Sequence, residues 1–155
     1  MDDPAAPLRL CVRRTPSRAG APESVALQLP ADVRCVEEAV ELMARHCCAG
    51  APVSSRTRFR LRVLLAEAIS NSILFGAGGD PARQVRVEAE LTDEQIRLQV
   101  TDDGPGFDPR DVPDPTLPDG LARCIGRGLF LIRSLADQVE FNDQGNTIWM
   151  TLPRC

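Results

Sequence analysis

Lysine is absent from the chain: all 18 basic residues are arginine, set against 22 acidic ones for a net charge of -4. That absence excludes a Walker-type phosphate loop and any mechanism needing a lysine amine. The negative balance argues against general nucleic-acid binding, which rests on neutralising phosphates. His46 is the sole histidine, and the six cysteines (Cys11, Cys35, Cys47, Cys48, Cys124 and Cys155) contain no C-x-x-C pair, so little is available to complete a metal cluster. The cysteines read as reduced thiols. No run of about 18 apolar residues exists, and the N-terminus lacks the apolar core of a signal peptide, so a cytoplasmic location is expected. At 155 residues the chain fits one domain able to bury a core without staples.

What is present centres on IRLQVTDDGPGF, residues 96–107. Ile96, Leu98 and Val100 alternate with Arg97, Gln99 and Thr101, the period of a half-buried strand, and the register places Asp102 in the apolar row. A carboxylate there is costly unless something donates to it. Gly104 and Gly106 let the backbone turn and approach a ligand closely.

Residues 1–23 mix Pro, Ala, Arg and Gly and are expected to be a mostly disordered arm, although Leu8, Leu10 and Val12 could form a short strand; residues 24–155 form the domain. Val25, Leu27 and Leu29 mark a first core strand ending at Pro30. Asp32 caps a helix running to about Cys48, with His46 an ordinary exposed residue favoured by the dipole at its end. A second helix starts near Ser54 or Ser55 and runs to about Phe75. Four arginines keep its first half solvated, and from Val63 to Phe75 Glu67 is the only ionisable residue. Glu67 and Asn71, one turn apart, share a face of it.

Residues 84–91 and 96–101 form an antiparallel hairpin with Glu90 facing Arg97. Residues 108–124, with four prolines and four aspartates, read as a long loop of the kind that serves as a lid. Gly126-Arg127-Gly128 is expected to open a third helix, to about Asp137, with free N–H groups for an anion. A last hairpin, residues 138–142 and 147–152, closes the chain, with Trp149 read as packing.

Taken in order, the segments EAISNSILFG, DDGPGF, GRGLFLIRSLAD and GNTIWMTL resemble the Bergerat-fold ATPases, the superfamily of histidine-kinase ATP domains, and within it the anti-sigma regulatory factor serine kinases, over about residues 24–153. The resemblance implies a two-layer α/β sandwich: a mixed, mostly antiparallel sheet with three helices on one face and ATP between the layers. It implies that Asp102 accepts from the adenine amine, that Gly104 and Gly106 pass the base, and that Asn71 holds Mg2+ through its amide oxygen. Gly126, Arg127 and Gly128 would cover the phosphates, with Arg127 or Arg123 as counter-charge. Thr147 would support the base side, and Glu67 would be the general base for a substrate serine. The implied partners are a STAS-type anti-anti-sigma protein and a sigma factor, with homodimerisation left open. Where the family commonly has histidine before glycine or alanine, this chain has Phe75 before Gly76. A non-catalytic nucleotide-gated binding module is therefore the alternative.

Overall fold

The computed structural model describes residues 10–50, 52–106 and 120–155, with the backbone alone described for 120–125. The elements are β1 (Val12–Thr15), β2 (Glu23–Pro30), a 3-10 turn (Val33–Cys35) leading into α1 (Val36–Cys47), and α2 (Ser55–Asn71), which continues as a π-helical turn (Ser72–Gly76). β3 (Gln84–Leu91), β4 (Gln95–Asp102), α3 (Gly120–Leu135), β5 (Gln138–Phe141) and β6 (Thr147–Pro153) follow. Together they make a two-layer sandwich of one six-stranded sheet, ordered β1-β2-β3-β4-β6-β5, and three α-helices.

The inward rows hold the layers together. Val25, Leu27, Leu29, Val85, Val87, Ile96, Leu98, Val100, Met150 and Leu152 are buried at alternate strand positions, against Met43, Leu61, Leu64, Leu65, Ile69 and Ile132 of the helices. Each such aliphatic side chain contributes roughly 1.5–3 kcal/mol on burial. The opposite rows, Arg86, Glu88, Glu90, Arg97, Gln99 and Trp149 among them, lie on the uncovered face, where Arg97 sits 5.9 Å from the Trp149 ring centroid. Glu90 stands opposite Arg97 in the ladder as expected, but the carboxylate within ion-pair reach of Arg97 is Glu140, at 3.6 Å.

Every ladder among the described residues is antiparallel, where a mixed sheet was expected. The chain does return through α3 so that β5 runs in the direction of β4, but β6 lies between the two and no parallel ladder forms. The N-terminal arm is also more ordered than its composition suggests. Val12–Thr15 pairs with residues 24–27 as an edge strand, while residues 1–9 lie outside those described. Only Val12 of that strand is even half-buried, so backbone pairing rather than an apolar pattern carries it.

α2 positions the chemistry. Ser54 caps it by accepting from the Thr57 N–H at 3.1 Å, and Thr57 Oγ1 donates to the Pro153 carbonyl at 3.0 Å, fixing the helix start to the end of β6. A serine cap contributes about 1 kcal/mol. At its far end the helix widens into the π-helical turn, a feature that recurs at functional sites because it re-aims side chains.

Candidate functional site

β4 delivers Asp102 as its last residue, and the carboxylate is only 5% exposed. Burial pushes its carboxyl up from the ordinary aspartate value, opposed by the Gly104 N–H, which donates to Oδ1 at 2.9 Å. Backbone closes around this group. A Cβ on Gly76 would lie 2.1 Å from Asp102 Oδ2, and a Cβ on Gly104 would lie 1.7 Å from the Gly76 carbonyl oxygen. Gly106 has φ +78°, and a Cβ there would lie 1.9 Å from the Gln144 carbonyl oxygen. These glycines thus serve first the close approach of the protein's own chain: the end of β4 is wedged between the π-helical turn and the β5–β6 turn.

The β5–β6 turn is itself cross-linked. The Asp102 N–H donates to the Asn146 carbonyl at 3.0 Å, and Asn142 Oδ1 accepts from the N–H groups of Asn146 and Thr147 at 3.0 and 3.1 Å. Thr147 is buried, and its hydroxyl lies 3.1 Å from that of Thr101, its partner across the ladder. Between these strands and the helices lies a cleft of about 300 Å³, including space open to solvent, lined among others by Asn71, Asp102, Leu129, Asn146 and Thr147.

On the helix side of the cleft, α2 and α3 meet at Gly128. A Cβ there would lie 2.9 Å from Glu67 Oε2 and 3.0 Å from Asn71 Nδ2, so the missing side chain brings α3 against both polar groups. Asn71 is 9% exposed, and its Nδ2 is buried without a partner among the described residues. A buried NH₂ left unpaired in this way is expensive and calls for an acceptor, such as a phosphate oxygen. An amide oxygen with a carboxylate one turn away is a hard donor set suited to Mg2+. Among the described residues no group of three or more His, Cys, Asp or Glu could hold a metal ion.

The profile of the histidine kinase-like ATPase domain matches residues 29–152. The chain belongs to that family. Membership implies ATP binding, and the cleft is where the family's sandwich would place it. The chain is 29% identical over 145 residues to the serine-protein kinase RsbW of Listeria monocytogenes, covering 83% of this chain and 86% of that protein. It is 30% identical over 97 residues to the anti-sigma F factor of Oceanobacillus iheyensis, covering 59% and 66% respectively. The Acinetobacter baumannii histidine kinase AdeS overlays with a TM-score of 0.42 at 19% identity, over 95% of this chain and 68% of that one.

Of the residues expected in a nucleotide site of this histidine kinase-like domain, Asn71, Asp102 and Thr147 line one cleft, Glu67 faces Gly128 beside Asn71, and Gly104 and Gly106 hold the carboxylate's strand end. The glycines of α3 behave differently from expectation. Residues 120–125 are already helical, so Gly126, Arg127 and Gly128 lie inside the helix rather than at its start. Gly126 and Gly128 are buried and Arg127 is exposed; the side chain of Arg123 lies outside those described. Of the loop expected over 108–124, residues 107–119 are likewise outside the described residues, and 120–124 are helical. Two residues escaped the sequence reading. Gly76, where the helical segment ends, also makes room for Asp102, while Asn146 was hidden among the polar residues of an ordinary turn.

Proposed function

We propose that this ATPase domain is an anti-sigma-type serine kinase, which transfers the γ-phosphoryl of ATP to a serine of a STAS-type anti-anti-sigma protein and holds a sigma factor when that protein is absent. The similarity to proteins named serine-protein kinase and anti-sigma F factor supports the class. The observation that carries the catalytic part is the convergence of Glu67 and Asn71 on Gly128 at the edge of the cleft that contains Asp102.

In this reading Asp102 accepts from the exocyclic amine of adenine, and Asn71 Oδ1 joins the phosphates in holding Mg2+, which neutralises phosphate charge when bound. Glu67 takes the proton from the substrate serine hydroxyl. The serine oxygen forms a bond to the γ-phosphorus as the bond to the bridging β–γ oxygen breaks, leaving phosphoserine and ADP. Arg127, exposed on α3, or Arg123 supplies the counter-charge for the phosphates.

One observation favours a second reading. Phe75, half-buried at the π-helical turn, stands where the serine kinases commonly carry histidine, which suits a module that binds nucleotide and partner without transfer. Single-turnover phosphorylation of STAS proteins by wild type and Glu67→Gln separates the two. The kinase reading expects transfer to fall about 10²- to 10⁴-fold in the variant, with ATP affinity nearly unchanged. No phosphoserine on any such protein with wild type, alongside ATP-dependent partner release, leaves the binding module.

A further inference from the structure

A polar residue bonded to Asp102 in the cleft wall comes from the β5–β6 turn. Asp102 and Asn146 both line the cleft, and a 3.0 Å backbone hydrogen bond joins them. The orientation of the Asn146 amide follows from its neighbours. Asn142 accepts two backbone N–H groups, from Asn146 and Thr147, on one side-chain atom, so that atom is its oxygen and the other is its NH₂. That NH₂ lies 2.6 Å from the Asn146 side chain and can only donate, so the Asn146 atom it meets is Oδ1. The Asn146 Nδ2 is thereby left as a pure donor, and it finds no acceptor among the described residues.

The cleft wall thus carries a fixed acceptor, the Asp102 carboxylate, beside a fixed donor, the Asn146 amide. Adenine presents the complementary pair on one edge: an exocyclic amine that donates and the adjacent ring nitrogen N1, which accepts. Guanine presents the reverse at those positions, a carbonyl oxygen and a ring N–H. We propose that Asn146 is a second base-reading residue, whose Nδ2 donates to adenine N1 while Asp102 accepts from the amine, and that Asn142 locks it in the donor orientation. The inference rests on the ATP reading of the cleft and adds the residue that discriminates against guanine. A site built to hydrogen-bond one pattern rejects its inverse because its own polar groups are left unpaired.

Calorimetry with ATP, 1-deaza-ATP and 7-deaza-ATP on the wild-type chain tests this. The first analogue keeps the amine and replaces N1 by C–H, and the second is altered on the other edge. A loss of about 10-fold is expected for 1-deaza-ATP, the size of one net hydrogen bond, with 7-deaza-ATP binding like ATP. Asn146→Asp keeps an oxygen for Asn142 while removing the donor, and in it the difference between ATP and 1-deaza-ATP should collapse. Equal wild-type affinity for ATP and 1-deaza-ATP overturns the proposal, as does a variant that keeps the 10-fold difference or a wild-type loss confined to 7-deaza-ATP. A folded wild-type chain that binds no ATP with Mg2+ present fails the nucleotide reading itself, and the inference falls with it.

Discussion

The two ends of the cleft are built on opposite plans. At the base end Asp102 is held by backbone: the Gly104 N–H on its oxygen, Gly76 against its carboxylate, and the Asn146 carbonyl on its N–H. At the other end Asn71 has a buried amide with no described partner, and Glu67 faces a glycine of α3. At one end the recognition groups are fixed in place by hydrogen bonds, with the Asn146 Nδ2 left to donate, and at the other the Asn71 Nδ2 is buried and unpaired among the described residues. Recognition of a base needs a rigid template, since every misplaced acceptor lowers specificity. Handling phosphate needs groups still free to engage it.

Substitutions can break this contrast. The largest effect is expected at the base end. In Gly104→Ala the new methyl meets a backbone carbonyl, which cannot rotate away, so stability should fall by about 3 kcal/mol, the upper end for overpacking. Denaturant unfolding that leaves the midpoint in place would show the wedge to be loose. Next comes Asp102→Ala, which should weaken ATP binding about 10- to 150-fold, the equivalent of roughly 1.5–3 kcal/mol for a hydrogen bond to a charged group. Unchanged affinity in the folded variant, measured by calorimetry, removes Asp102 from the site.

A smaller effect follows from the burial that raises the Asp102 carboxyl. Because its folded value lies above its unfolded one, the group's contribution to stability is present below the ordinary aspartate range and lost as pH rises through the raised value. ATP, which needs the ionised acceptor, should bind better over that same window. Stability and affinity should therefore move in opposite directions with pH, and Asp102→Asn should flatten both. Parallel pH profiles for wild type and Asp102→Asn would exclude the carboxylate as the cause.

The smallest change in stability is expected at the phosphate end. Gly128→Ala places its methyl near the ends of two side chains, at 2.9 Å and 3.0 Å, which can turn aside. A helical alanine also gains up to about 1 kcal/mol over glycine. The midpoint should hold or rise slightly while Mg-dependent nucleotide binding weakens. A large loss of stability would make this end as rigid as the other and erase the contrast.

The strands were legible in the sequence because period-2 alternation survives intact: the positions read as inward along residues 84–91 and 96–102 are the buried ones, including Asp102. Ser54 as the start of α2, and Glu67 with Asn71 on one face, were legible from capping and from the helical repeat. The start of α3 was not, because Gly126 and Gly128 carry the signature of a helix start but lie within the helix, where Gly128 serves close packing. The edge strand β1 was only half legible: Leu10 and Val12 belong to the alternation noted over residues 8–12, while the exposed residues 13–15 have no apolar rhythm to display. Gly76 and Asn146 were missed for a related reason: their importance lies in contacts with residues far along the chain, which no local pattern records.

The bond from the Asp102 N–H to the Asn146 carbonyl also fixes when the cleft comes into being. As the chain leaves the ribosome, α1, α2 and the β2–β3–β4 meander are complete well before the last hairpin exists, and domains take shape from the N-terminus as synthesis proceeds. The base end has no second wall until β6 has docked on β4, a pairing between segments separated by the whole of α3. We therefore expect nucleotide to arrive too late to template the fold. Added ATP should leave the refolding rate alone and slow unfolding, so that it guards the finished protein rather than guiding its assembly.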